Sequence, residues 1–545
     1  MQRMTTGEAA VESLIRHGID TLYTLPGVHN DHLLDAAARA GERFRVLHAR
    51  HEQTAGYMAL GAALVTGRPQ AVAMVPGPGV LNAAAALLTA WGMNAPVLAL
   101  AGQIPSFAID QGHGHLHELP DQLGLLRHLT KHAARMHAPH EAPGAVAAAI
   151  RAARGGRPRP VALECGIDVW GAAGPVAFPP IEAPETPPVD EAAIARAADL
   201  LGRAERPIIV AGGGALDAGP ELQAIAEALE APVCSFRRGR GAIPTTHRLA
   251  VSFPEGHRLW QDADAVLAVG TRLYWQQGNW GVDEQLPVVR LDIDAEEPGR
   301  LRPPAVALVA DAAPALRALL AALPPRPARP PRDLAPVRAW FAERLARLEP
   351  QMGFVRALRA ALPADGIFVE EVTQVGFLTR LAFPVTRPRT FLSPGYQDNL
   401  GWGYGTALGA QAALPGRKVL AIAGDGGFMY QAGELATAVR HKLPVVVVVF
   451  DDGAFGNVRR IQQQAYGNRQ IAADLANPDF VRFAESFGVA AFRARTADEL
   501  ERAVRDAFAL NAPALVHVPV GEMPSPWDLI LLPRLRGLAG QPPLP

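Results

Sequence analysis

The sequence predicts an α/β protein of three doubly wound parallel-sheet domains, with helices on both faces of each sheet. Apolar, β-rich runs alternate with Ala-rich helical stretches, which is typical of parallel strands joined by crossover helices. The 545 residues amount to about three times a common domain size, and two proline-rich segments interrupt the alternation. We therefore expect domains at 1–173, 190–323 and 340–530.

The first domain contains three apolar runs that predict strands, at 71–75, 96–102 and 159–164. Two stretches with helical periodicity, 11–18 and 51–67, each end at a glycine, the residue that commonly terminates a helix. Alternating strands and helices of this kind favour a parallel sheet.

Two linkers separate the domains. The segment 174–189 holds six prolines and no apolar period, and PPRPARPPR at 324–332 is the second break. Between them, RPIIVAGGG (206–214) predicts a strand that runs into a glycine turn. After the second break we expect one helix near 334–362, then continuous Val, Ile and Leu runs such as 444–450, as in a sheet covered on both faces. The first and third domains share a similar rhythm of strands and helices.

Composition excludes several classes of protein. Lys and Arg number 52 against 53 Asp and Glu, a net charge of −1, so nucleic acid is not an expected partner. The only cysteines, Cys165 and Cys234, lie far apart, which excludes a disulfide scaffold or structural zinc site. The first twenty residues lack the apolar region of a signal peptide, and no run approaches 18 uncharged apolar residues. We expect a cytoplasmic protein with no membrane partner.

The most specific motif is the segment 424–457. A strand runs into Gly424-Asp425-Gly426-Gly427, a helix follows, and a second buried strand ends at Asp451-Asp452. Glycines let backbone N–H groups approach an anion, and carboxylates beside a phosphate suit Mg²⁺. Since neighbouring parallel strands end at the same edge, Asp425 and Asp452 are expected to lie together. The alternative is a plain glycine turn with a surface carboxylate pair.

This segment resembles the thiamine diphosphate (ThDP) motif, a GDG sequence followed after about 25 residues by a polar pair, usually Asn-Asn. The resemblance implies that Asp425 and Asp452 bind Mg²⁺ with the backbone carbonyl of Ala454, and that Gly424, Gly426 and Gly427 contact the diphosphate. Asp451-Asp452 replaces Asn-Asn here, which adds negative charge near the diphosphate.

A second motif, RHEQTAGYMALGAA at 50–63, is similar to a helix of the acetolactate synthase branch. The resemblance implies that Glu52 activates the aminopyrimidine of ThDP, a task that needs a carboxylic acid. VPGPGVLNAAAALLTAW at 75–91 is similar to the segment that follows in the family and implies a cofactor contact by Asn82.

The resemblance covers nearly the whole chain, and further positions match two branches of the family. NLGWGYGTALGAQAA (399–413) is similar to a stretch of acetolactate synthase and benzaldehyde lyase, in which Leu400 would support the bent cofactor and Gln374 would lie beside the diphosphate. His29, in PGVHND, matches an active-site histidine of the lyase, and His117 matches a lyase glutamine near the cofactor.

Other positions depart from both branches. Two further lyase positions, a tyrosine and a histidine, are Gly376 and Pro394 here. The segments 252–257 and 272–280 do not resemble the flavin-contacting segments of acetolactate synthase, so FAD is doubtful. A loop histidine with only a structural role is the alternative for His29.

The resemblance implies a ThDP- and Mg²⁺-dependent enzyme that cleaves or forms C–C bonds beside a carbonyl: a 2-oxo acid decarboxylase, an acetolactate synthase-like carboligase or an acyloin lyase. Its substrates would be 2-oxo acids, aldehydes or acyloins, and it would form a homodimer or homotetramer with shared active sites. Two other classes remain: a dehydrogenase that uses the glycine turn at 210–219, and a non-catalytic homologue.

Overall fold

Three six-stranded parallel sheets follow one another along the chain in a computed structural model that describes residues 2–325 and 330–537. Helices flank each sheet, and an additional two-stranded antiparallel pair joins the start of the chain to the end of the first domain. The α/β class with three parallel sheets is therefore confirmed.

The N-terminal sheet has the strand order β3-β2-β4-β5-β7-β6. The strands of this region are β1 Gln2–Thr5, β2 Thr21–Thr24, β3 Arg45–His48, β4 Gln70–Met74, β5 Val97–Gln103, β6 Ala133–Met136, β7 Val161–Gly166 and β8 Ala173–Val176. Its helices are α1 Thr6–Arg16, α2 Asp31–Arg39, α3 Glu52–Thr66, α4 Pro78–Gly92, α5 Gln122–Leu129, α6 Ala142–Arg154 and α7 Ile167–Gly171. All three strands expected in the first domain are present as β4, β5 and β7.

The central sheet has the order β11-β10-β9-β12-β13-β14, in which the first strand lies in the middle. Its strands are β9 Pro207–Ala211, β10 Val233–Ser235, β11 Ala250–Val251, β12 Ala265–Val269, β13 Val288–Asp292 and β14 Val306–Val309. The helices here are α8 Glu191–Arg203, α9 Gly219–Leu229, α10 Phe253–Trp260 and α11 Ala312–Ala322, together with a π-helix at Trp275–Trp280.

The C-terminal sheet has the order β16-β15-β17-β18-β20-β19. Its strands are β15 Ile367–Val369, β16 Phe391–Leu392, β17 Val419–Gly424, β18 Val446–Asp451, β19 Ala490–Arg493 and β20 Ala514–Pro519. The helices are α12 Ala335–Ala346, α13 Gln351–Ala361, α14 Gln374–Ala382, α15 Gly403–Ala413, α16 Asp425–Met429, α17 Leu435–Arg440, α18 Gly456–Ala465, α19 Phe480–Ser486 and α20 Ala497–Ala509.

The N-terminal and C-terminal regions of the chain pack against each other through helices α3 and α15. Gly61 of α3 faces Thr406, and Gly409 of α15 faces Met58, with no room for a Cβ at either glycine. Small residues at these two crossings allow the backbones to touch, so both helices are buried along nearly their whole length. The helix ends at Gly67, whose φ of 67° is the left-handed conformation typical of a C-terminal cap.

Two expectations about local structure are corrected. The single helix expected near 334–362 is two helices, α12 and α13, since Pro350 lacks the N–H that a continuous helix needs at that point. The linker expected at 174–189 begins inside β8, where its first residues pair with β1. Part of the second break, 326–329, lies outside the described residues.

Candidate active site

A cavity of about 250 Å³ lies at the carboxyl edge of the C-terminal sheet. Its walls come from the residues after β15, β17 and β18, from α18, and from the segment 522–527. Of the residues expected at the site, the cavity contains Gln374, Leu400, Gly424, Asp425, Gly426, Gly427, Asp452 and Ala454. The polar residues that the sequence placed at the ends of two strands therefore do meet in one cavity.

Asp425 and Asp452 are two acidic residues in the lining of this cavity. Asp425 begins α16 and is buried. Asp452 accepts a hydrogen bond from Gln374 Nε2 at 2.7 Å and another from the Ala454 N–H at 3.2 Å. Gln374 thus holds a carboxylate of the expected metal site, a contact that the sequence did not indicate.

Asp451 points to different partners from Asp452, although the two are adjacent. Its carboxylate lies 3.0 Å from His517 Nε2 and accepts a hydrogen bond of 2.8 Å from Asn477 Nδ2. Asn477 Nδ2 also donates to Asp425 Oδ2 at 2.6 Å. Asn477 and His517 therefore each bind the Asp451 carboxylate, and Asn477 alone links it to Asp425. Sequence reasoning missed both residues because neither belongs to the motif.

The electrostatics of the carboxylate pair favour a cation. Burial raises the pKa of Asp425 to about 6, a shift that Asn477 opposes and the nearby Asp452 increases. Burial also raises the pKa of Asp452, against the opposing hydrogen bond from Gln374. Two carboxylates that are costly to ionise side by side are stabilised by a divalent ion bound between them.

The donor set at the cavity fits Mg²⁺ and a diphosphate. Two carboxylates and a backbone carbonyl are hard oxygen ligands, and diphosphate oxygens commonly complete the coordination of Mg²⁺. Within the two described ranges, no three His, Cys, Asp or Glu side chains converge as a metal site of their own. The glycine wall fits an approaching anion as well, since Gly424, Gly426 and Gly427 bring bare backbone to the cavity.

Glu52 and Asn82 form a separate polar contact in the N-terminal region. Glu52 is the first residue of α3 and is buried, and Asn82 Nδ2 of α4 donates to its Oε2 at 3.0 Å. Gly79 lies against the other oxygen, Oε1, so the glycine-rich turn after β4 packs on this carboxylate. Asn82 therefore orients Glu52, and neither residue lines the cavity of the C-terminal sheet.

His29 and His117 meet beside the same turn. Their rings stack with centroids 5.1 Å apart, and His29 Nε2 lies 3.1 Å from the carbonyl oxygen of Leu116. His29 is buried, its Nδ1 has no partner within the described structure, and burial followed by the charge of His117 lowers its pKa. His117 adopts a φ of 66° in its loop and leaves its own Nδ1 without a partner there. The two histidines that the resemblance indicated are thus neighbours.

A second cavity of about 450 Å³ lies between the N-terminal and central sheets. The segments compared with flavin-contacting regions contribute only Arg272 to it. The segment 252–257 instead begins α10 with a capping box, and Trp280 of the π-helix packs in the core against Trp260 with ring centroids 5.5 Å apart. The absence of FAD stays a prediction.

Family comparisons identify the chain. Models described as thiamine pyrophosphate enzyme domains match residues 4–125 (N-terminal TPP binding domain), 194–319 (central domain) and 371–518 (C-terminal TPP binding domain). The chain belongs to the thiamine pyrophosphate enzyme family. It is 34% identical to the probable 2-ketoarginine decarboxylase AruI of Pseudomonas aeruginosa, with 94% of each chain covered. Thiamine pyrophosphate is another name for ThDP.

Other relatives of this ThDP enzyme are acetolactate synthases. It is 31% identical to the probable acetolactate synthase large subunit of Methanocaldococcus jannaschii, over 95% of this chain and 92% of the relative. It is 28% identical to the large subunit of acetolactate synthase isozyme 1 of Escherichia coli, over 95% and 94%. The prediction that the chain is a ThDP-dependent enzyme of the decarboxylase and carboligase class is confirmed. Among the described helices, none has the length and apolarity to span a bilayer.

Proposed function

We propose that the chain is a ThDP- and Mg²⁺-dependent enzyme that decarboxylates a 2-oxo acid and transfers the remaining acyl unit to a proton or to a second carbonyl compound. The observation that carries this is the carboxylate pair Asp425 and Asp452 at the glycine wall of the cavity. In this proposal both carboxylates and the Ala454 carbonyl hold Mg²⁺ against the diphosphate. When bound, ThDP supplies a carbon nucleophile that adds to a carbonyl group.

Glu52 would hold the proton that activates the cofactor. Its buried carboxyl accepts a hydrogen bond from Asn82, which fixes its direction without adding charge. A buried acid in a fixed orientation suits proton exchange with the cofactor's aminopyrimidine. Leu400 would support the cofactor from the cavity wall.

We place the complete active site between two copies of the chain. The lining of the metal cavity includes no residue of the N-terminal region, although Glu52 must reach the cofactor held there. Apolar side chains are exposed near both groups of site residues. Leu81 and Leu88 lie on α4, the helix that carries Asn82, and Met429 and Tyr430 follow the glycine segment 424–427. Exposed apolar residues of this kind fit a self-complementary contact, which favours a homodimer or a homotetramer.

Acyloin cleavage is the second candidate, and the buried His29 favours it. An uncharged imidazole beside the site can take a proton from a hydroxyl group as a C–C bond breaks. The unpartnered Nδ1 of His29 leaves one ring nitrogen free for that exchange among the described residues. If His29 has only a structural role, it stabilises its loop and takes no part in the reaction.

Product analysis tests both candidates. Purified protein supplied with ThDP and Mg²⁺ is incubated with pyruvate, with 2-ketoarginine, whose name one relative carries, and with benzoin. Release of CO₂ supports the first candidate, and release of benzaldehyde without CO₂ supports the second. A folded protein that binds ThDP and turns over no member of a wider panel of 2-oxo acids and acyloins would indicate a non-catalytic homologue. Reduction of a nicotinamide cofactor would instead favour the dehydrogenase alternative.

Homotetramer formation and a cytoplasmic location stay predictions.

A further inference from the structure

The loop 398–403 carries Leu400 to the cavity wall and has an irregular backbone. Asp398 has a φ of 47° and Gly401 a φ of 72°, so two of its residues are left-handed. Gly401 suits this backbone conformation because it has no Cβ, and a Cβ at this position would also collide with the side chain of Tyr430. A loop of this kind requires anchors outside itself if Leu400 is to keep one position.

Glu371 provides one anchor. Its side chain is fully buried, and its two oxygens accept hydrogen bonds from successive parts of the loop: Oε1 from the Gly401 N–H at 2.8 Å and Oε2 from the Gly403 N–H at 3.0 Å. The same carboxylate occupies the space where a Cβ of Gly427 would stand, and Leu400 lies next to that point. Glu371 is therefore packed between the Leu400 loop and the glycine wall.

Glu370 anchors the other end of the loop through an arginine. Arg380 Nε donates to Glu370 at 2.8 Å, and its two terminal nitrogens donate to Asp398 at 2.9 and 2.6 Å. Arg237 adds a contact to Asp398 at 3.1 Å. Two adjacent glutamates at the end of β15 thus hold the two ends of one short loop.

The Glu371 carboxylate is retained at an energetic cost. Burial raises the pKa of Glu371 to about 7, although the N–H groups of Gly401 and Gly403 oppose the shift. Within the described ranges no cationic side chain forms an ion pair with it, whereas Glu370 has Arg380. A neutral residue would avoid this cost, and the only hydrogen bonds described for the two oxygens are those they accept from the loop, at Gly401 and Gly403.

We infer that Glu371 is a positioning residue for the cofactor: by binding both Gly401 and Gly403, it fixes the backbone that presents Leu400 to the cavity. This inference rests on the proposed function, in which Leu400 supports ThDP. Glutamine has nearly the same shape, but it offers one acceptor oxygen and an NH₂ group, so one glycine N–H would face a donor. A buried N–H without an acceptor costs enough to move the loop.

The test compares Glu371→Gln with Leu400→Ala, the double variant, and Glu255→Gln as a matched control. Glu255 is also a buried carboxylate that accepts a backbone N–H, from Ser252 at 2.7 Å, but it lies in the central domain. The affinity for ThDP is measured by calorimetry at fixed Mg²⁺, and thermal stability is measured alongside it.

We expect Glu371→Gln to weaken ThDP binding about tenfold or more. Glu255→Gln should leave that affinity unchanged, because one amide oxygen can still accept the single N–H of Ser252. Because Glu371 acts through Leu400, adding Leu400→Ala to Glu371→Gln should change affinity much less than Leu400→Ala does in the wild type.

Unchanged affinity in Glu371→Gln, or effects of the two substitutions that simply add, would overturn the inference while leaving the proposed function intact. If Glu371→Gln does not fold, Glu371→Asp keeps the charge with a shorter reach, and the same cycle with Leu400→Ala decides the question. A folded wild type that binds no ThDP would overturn both the inference and the proposed function.

Discussion

The N-terminal and C-terminal sheets arrange their six strands in the same way. In each, the second strand along the chain lies at one edge, followed by the first, third, fourth, sixth and fifth. The residues after corresponding strands nevertheless differ. The third strand of the C-terminal sheet, β17, leads to Gly424 and Asp425, whereas the third strand of the N-terminal sheet, β4, leads to the uncharged turn at 75–79.

The difference shows what topology decides and what it leaves to the loops. The shared strand order brings the loops to the carboxyl edge of each sheet, where ligands of such folds bind. The C-terminal loops carry carboxylates and bare glycine backbone around a cavity, and the N-terminal loops carry one buried acid, Glu52, and a histidine pair. In the proposed function, the C-terminal half would therefore hold an anion and a metal, and the N-terminal half would move protons.

The largest expected effect comes from the acid of the N-terminal half. Glu52→Gln should lower kcat by about 10²–10⁴-fold, the range for loss of a general acid or base. Binding of ThDP should be nearly unchanged, because the metal and glycine wall belong to the other half. Steady-state kinetics and calorimetry on the same preparation check both parts. A variant with normal turnover would remove Glu52 from the mechanism.

Removal of a carboxylate from the C-terminal half should have the opposite signature. Asp425→Ala leaves Asp452 without its shared cation and should weaken Mg²⁺-dependent ThDP binding by about 100-fold or more. Asp452→Asn keeps an oxygen ligand and should stay active. Equal ThDP binding to Asp425→Ala with and without a metal chelator would contradict the assignment.

Mixing the two inactive variants tests whether the halves come from different subunits. Random exchange of Glu52→Gln and Asp425→Ala chains makes about half of the dimers mixed, and each mixed dimer has one site with both native residues. Activity should therefore return to about one quarter of the wild-type level. If both variants fold and exchange subunits but the mixture stays inactive, the two halves act within a single chain.

The sequence predicted the carboxylate pair of the C-terminal half better than the contacts that this half makes with distant segments. Asp425 and Asp452 could be paired from their spacing because each follows a long apolar strand. The short strands β3 and β16 were missed, since Arg45–His48 has only two apolar residues and Phe391–Leu392 is a single dipeptide. Asn477, His517 and the Glu370–Arg380–Asp398 network depend on contacts between distant segments, which no local pattern reveals. No local pattern reveals the separation of Glu52 from the metal cavity within one chain either; only the resemblance, with its shared active sites, implied it.

The smallest expected effect concerns His29, and its sign follows from the direction of its pKa. Burial and the neighbouring His117 lower the pKa of His29 below its usual value, so the ring is uncharged at neutral pH. The unfolded chain then binds the proton more readily than the native one, and this histidine destabilises the protein as the pH falls below the unfolded pKa.

If His29 also relays protons, activity must fall on the same acid side, because the protonated ring can no longer accept one. His117→Ala removes one of the two influences that lower the pKa of His29, so the acid limb of kcat should move to higher pH. His29→Ala should abolish that limb and slow turnover only modestly. A purely structural His29 predicts instead a lower melting temperature in His29→Ala with an unchanged pH profile per folded site. The pH dependence of kcat for the wild type and both variants separates the two roles, and an acid limb that does not move in His117→Ala would exclude the relay.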